Sequence, residues 1–149
     1  MSEKLSARIY LPVSRHNWGF TGRPAEGRET IRYGFRFDPR MAFNPSVRSV
    51  IAMSYYFERD YATAAAETAR LIADRPEHPW AYRWHAAALG QLGRFDEARA
   101  ALDKAIGAAP DAFRLMVEQR VPWMGQSVHD HMLEGLRKAG WRGTGEIQP

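Results

Sequence analysis

The sequence predicts an all-α fold in which antiparallel helical hairpins stack into a short solenoid. Three observations lead there. Pro45–His78 written above Pro79–Ala112 gives two blocks of 34 residues whose small and turn residues coincide: Ala52 over Ala86, Ala64 over Ala98, Asp60 over Arg94, Pro76 over Pro110. Within each block apolar residues return every three or four positions, the period of one helix face. The connections Glu58–Asp60 and Leu92–Arg94 are short enough to force antiparallel pairing. A fixed period of this length marks units that bury their apolar faces only by stacking.

The elements follow in order. Residues 1–21 are expected to be irregular, because Pro12, Asn17 and Gly19 interrupt the stretch from Arg8 to Phe20. Residues 22–41 read as a partial repeat. Gly27, Gly34 and Pro39 fall where Ala64, Leu71 and Pro76 fall in the next block, with a short insertion at Arg40–Asn44. The first full repeat, 45–78, opens on a proline, which is favoured at a first helical position. It carries Ile51, Ala52 and Tyr55 on one helix and Tyr61, Ala64, Ala65, Thr68, Leu71 and Ile72 on the other. The second repeat, 79–112, carries Tyr82, Ala86, Leu89 and Leu92, breaks at Gly93, and resumes with Phe95, Ala98, Leu102, Ala105 and Ala109 before Pro110 stops it. Capping helices are expected over 111–140, one starting at Asp111 and ending before Pro122, the other capped by Ser127 and stopped by Gly140. Val128, Met132, Leu133 and Leu136 give the last helix an apolar stripe, and Trp123 and Trp141 are expected to pack beside it. Such a cap covers the final apolar face of a solenoid. Residues 142–149 form a tail, expected to be disordered.

Composition narrows the function. The chain has 149 residues, 45% hydrophobic and 26% charged, which fits one globular domain. The absence of cysteine excludes disulfides, thiolate metal sites and a cysteine nucleophile. Met1–Phe20 has no long apolar run and carries Arg8, Pro12 and Arg15, so no signal peptide is expected. No window approaches a membrane span, and a cytoplasmic location is the expectation. The net charge of +4 is mostly arginine spread along the chain, which reads as a solvated surface and argues against nucleic acid as the partner.

No constellation for chemistry emerges, and the expectation is a non-catalytic protein without cofactor or metal. His129 and His131 are two apart, about 200° around a helix, so they cannot chelate one metal together and read as solvated. His85 reads as a partly buried histidine with a backbone or carboxylate partner, and His78 lies just before a helix start. Asp38, Asp60, Asp96 and Asp111 sit at predicted helix ends or turns, where aspartate complements free N–H groups. No phosphate-binding glycine loop or nucleophile elbow is present.

The period and the positions of Ala52, Ala86, Gly93, Ala64, Ala98, Ala105, Pro76 and Pro110 resemble the tetratricopeptide repeat. Arg59 and Leu71 depart from that pattern, which implies a looser first hairpin. The resemblance implies a concave face lined by the first helix of each hairpin: Ser46, Ser49, Val50, Met53, Tyr56 and Phe57 in one, Trp80, Arg83, Trp84, Ala87, Gly90 and Gln91 in the other. Met53, Tyr56, Phe57, Trp80, Arg83 and Trp84 are of hot-spot type and form the candidate partner-binding groove. The same side chains would equally serve as core if the C-terminal helices fold back over them. The lysine/asparagine clamp that related domains use for acidic chaperone tails is absent, since Ser49, Met53 and Trp84 stand in its place.

Met53–Tyr61, Glu77–Trp84, Gly90–Ala98 and Met132–Trp141 further resemble the C-terminal repeat region of bacterial class III adenylate/guanylate cyclases. The catalytic domain of that family is larger than this whole chain, so cyclase activity is not implied. What the resemblance implies is a module that binds a protein or peptide partner, with a link to cyclase regulation. The alternatives are a self-associating unit, dimerising through Gly22–Phe57, or a remnant of a longer cyclase-like protein.

Overall fold

The computed structural model describes residues 23–120 and 124–143. The expectations for residues 1–21, for Trp123 and for residues 144–149 lie outside the described residues.

Seven α-helices and one short 3-10 helix make up the described chain. They are α1 (Pro24–Gly34), the 3-10 turn Pro39–Phe43, α2 (Pro45–Phe57), α3 (Tyr61–Asp74), α4 (Pro79–Gln91), α5 (Phe95–Ala108), α6 (Pro110–Glu118) and α7 (Gln126–Lys138). The fold is all-α, built of stacked helical hairpins. Proline opens α1, α2, α4 and α6, where its missing N–H removes no helix bond. Asn44 caps α2, its side-chain oxygen accepting from the N–H groups of Ser46 (2.9 Å) and Val47 (3.3 Å). Asp60 caps α3 through the N–H of Thr63.

Two expected caps are displaced. Asp111 lies inside the first turn of α6, because the pre-set φ of Pro110 starts the helix one residue earlier. Ser127 lies inside α7, which begins after Gly125; Gln126 there donates to Asp130 Oδ1 at 2.8 Å.

Helices α2 and α3 pair, α4 lies against α3, and α5 pairs with α4. Ala52, Ala64, Ala86 and Ala98 are buried at these crossings, where a small side chain lets helices approach. Leu71, Leu89 and Leu102 fill the space between them. Helix α1 is held to α2 by Arg28, whose guanidinium pairs with Glu58 (2.8 Å), donates to Ser54 Oγ (3.2 Å) and lies over the Tyr55 ring.

Both hairpin turns have one backbone form. The N–H of Asp60 reaches the carbonyl of Tyr55, and that of Arg94 reaches Leu89. Each turn needs a left-handed residue, Gly93 at φ +76° and Arg59 at φ +65°. An L side chain is strained there, so Arg59→Gly is expected to stabilise the fold by roughly 1 kcal/mol, read as a higher urea midpoint.

Candidate functional site

The first helices α2 and α4 present their aromatic residues to one another. The Trp84 ring meets Tyr56 and Phe57 edge-on, each at 5.5 Å between centroids, and Tyr56 meets Tyr61 at 5.2 Å. Helix α7 folds back across this face and packs on α4. The hydroxyl of Tyr56 donates to the carbonyl oxygen of His131 (2.5 Å) and accepts from Gln91 Nε2 (3.2 Å). The His131 ring lies 4.5 Å from that of Tyr56, and its Nε2 is 2.7 Å from the Tyr61 hydroxyl. Lys138 Nζ donates to Gln91 Oε1 at 2.8 Å. Gly90 and Gly135 mark the crossing, where the two backbones leave no room for a Cβ.

The six predicted groove residues therefore do not form one open surface. Tyr56, Met53 and Trp84 are buried in the main core, and Phe57 is half-buried against it. Arg83 is only 4% exposed; its guanidinium carbon is 5.7 Å from the rings of both Trp80 and Trp84. Its Nε is buried without a hydrogen bond, and burial pushes its pKa down to about 10, so it remains charged at neutral pH. Trp80 alone of the six is exposed, at 41%. It stands in the first turn of α4, about two turns from the crossing at Ala87–Gln91, with the His78 ring 6.3 Å away.

His129 and His131 differ from the solvated reading. His129 is buried, and His131 is half-buried between α7 and the aromatic cluster. His85 takes the Thr68 hydroxyl as its partner (2.7 Å), and His78 takes that of Ser49 (3.1 Å). Burial lowers the pKa of His78, His85 and His131, and Arg94 and Arg59 add to this at His85 and His131 respectively. The folded state therefore binds these protons less readily than the unfolded chain, whose histidines titrate near 6.5. Stability is complete above that pH and falls as pH drops through 6.5 toward the lower folded values. Thermal melts from about pH 7.5 to about pH 5 are expected to show a falling midpoint, and His131→Gln is expected to flatten the slope.

Among the described residues no group of three His, Asp or Glu side chains is placed to hold a metal, and no helix is long and apolar enough to cross a membrane.

Residues 58–117 match the family model of the tetratricopeptide repeat. The matched segment runs from the end of α2 into α6 and takes in the whole α4–α5 hairpin. Repeats of this family generally mediate protein–protein interaction and are typically non-catalytic. No curated protein and no solved structure matches the chain.

Sequence reasoning missed His131, Lys138 and Gly135 as parts of this face. His131 and Gly135 are four apart and so share a side of α7. Their contacts with Tyr56 and Ala87, however, span 75 and 48 residues of sequence (131 − 56, 135 − 87), and nothing local announces them.

Proposed function

We propose that this chain is a non-catalytic interaction module that docks a peptide or helix of a protein partner on the part of the first-helix face that α7 leaves open. The observation that carries this reading is Trp80. A large indole stands exposed on a tetratricopeptide first helix, backed by the buried cationic Arg83 and flanked by His78. Tryptophan and arginine in such a setting are the residue types that dominate binding energy at interfaces. Phe57 is the second contact, while Met53, Tyr56, Arg83 and Trp84 form the floor that fixes both. Trp80→Ala is expected to lower partner capture at least tenfold, a typical hot-spot loss, while the melting midpoint moves little. Equal capture by Trp80→Ala and parent would sink the assignment. The sequence resemblance to cyclase repeat regions makes a class III cyclase the partner to try first.

A second reading has its own support. Tyr33, Phe37 and Phe43 are exposed at the N-terminal edge of the stack, within the segment expected to dimerise. Self-association through that edge predicts a mass in light scattering that rises with concentration.

A further inference from the structure

We propose that Arg83 receives a glutamate side chain of the docked partner, so that the face around Trp80 selects acidic segments. This deepens the docking reading and rests on it. Trp80, Arg83 and Trp84 stand at i, i+3 and i+4 on one side of α4. Arg83 is buried there, with its guanidinium carbon 5.7 Å from each indole ring. Nε is sealed from solvent without a hydrogen bond. No hydrogen bond or ion pair joins Nη1 or Nη2 to a described residue, and burial alone accounts for the lowered pKa, with no acid near enough to offset it. Arg28, also buried, is treated differently: it has Glu58 at 2.8 Å and Ser54 Oγ at 3.2 Å. The acids that precede α4 are engaged elsewhere, Glu77 with Arg75 at 3.8 Å and Asp74 with Arg48 at 2.8 Å. A charge enclosed without a partner destabilises the fold that holds it, so Arg83 is poised for an anion from outside.

The surroundings narrow the chemistry of that anion. A guanidinium offers its donors in a planar fork, which a carboxylate fills with two parallel hydrogen bonds. A doubly charged phosphate calls for more than one cation. Nothing but burial acts on the titration of Arg83, so no second cation lies close to it. His78, which flanks Trp80, has Ser49 Oγ as its partner at 3.1 Å, and its lowered pKa leaves it neutral at neutral pH. The site therefore suits a single negative charge. Exposure sets the reach. Arg83 is recessed and Trp80 is exposed, so the acid enters past the indole. Glutamate does this on two methylenes that pack against the ring, whereas a chain-terminal carboxylate would have to bring the main chain in with it. In so dry a setting a completed pair is stronger than one in water.

The test uses the immobilised full chain and pools of short peptides with randomised flanks, carrying glutamate, glutamine or phosphoserine at the centre. The parent is expected to retain the glutamate pool at least about tenfold better than the glutamine pool, the scale of a hydrogen-bonded charge contact, and the phosphoserine pool no better than the glutamate pool. Arg83→Met keeps the apolar stem and removes the charge. It is expected to retain the glutamate and glutamine pools alike, and to unfold at a urea midpoint equal to or above that of the parent, since an uncompensated buried charge has gone. Equal retention of those two pools by the parent would overturn the proposal, and so would a glutamate preference that Arg83→Met keeps. Tighter retention of phosphoserine would overturn the single-charge assignment. A midpoint of Arg83→Met well below that of the parent would also sink the idea, because Arg83 would then be paired within the fold. The docking reading fails separately: Trp80→Ala would then hold the pools as the parent does, whatever Arg83→Met shows.

Discussion

Replacing Trp84 by alanine is expected to destabilise the protein by about 3–5 kcal/mol, the range for an aromatic side chain removed from a packed core. Trp84 is 2% exposed and braces Tyr56 and Phe57 at 5.5 Å each. Its loss removes one ring and unseats two others, one of which anchors α7 through the Tyr56–His131 hydrogen bond. Aromatic pairs of this geometry add about 0.5–1.5 kcal/mol beyond area burial. Because a domain of this size has a total stability of about 5–15 kcal/mol, the melting midpoint should fall by many degrees and the near-ultraviolet aromatic signal should weaken. A midpoint close to that of the parent would show that Trp84 is not core.

Gly90→Ala is the second large effect, and its sign is the informative part. Alanine is the better helix former by about 1 kcal/mol, so in an open helix this change stabilises. At Gly90 the new Cβ would run into the carbonyl oxygen of Gly135 and lie 3.0 Å from the backbone N of Ala139. Both are backbone atoms that move only if all of α7 moves. Overpacking of this kind costs about 1–3 kcal/mol or more, which outweighs the propensity gain. Gly90→Ala is therefore expected to lower stability and to loosen α7, seen as faster hydrogen exchange over Gln126–Lys138. Gly107→Ala is the control: it meets nothing within 4 Å and should be neutral or stabilising. If both substitutions stabilise equally, the α4–α7 crossing is wrong.

Helices α2 to α5 were legible because each has an internal period, a proline or aspartate at its start and a turn residue at its end. The two C-terminal helices were also legible as elements, but not their first residues. Proline at 110 and glycine at 125 decide those starts, whereas the nearby aspartate and serine only resemble caps. The placement of α7 was not legible. Its stripe of Met132, Leu133 and Leu136 fits any apolar face, and only the close approach of two glycines 45 positions apart (135 − 90) selects α4. The candidate site suffered from a related ambiguity. Trp80 and Trp84 are one turn apart on the same helix side and look alike in sequence. Only the position of α7 and the core beneath makes Trp84 structural and leaves Trp80 outside. Large aromatics serve cores and hot spots for the same reason, their area, so residue type alone does not separate the two uses.

The most direct measurement compares Trp80→Ala and Trp84→Ala in one experiment, reading the urea unfolding midpoint and the capture of partner protein for each. Trp80→Ala is expected to keep the parent midpoint and lose capture, whereas Trp84→Ala is expected to lose about 3–5 kcal/mol of stability. A Trp80→Ala protein that unfolds early, or that captures as the parent does, would contradict it.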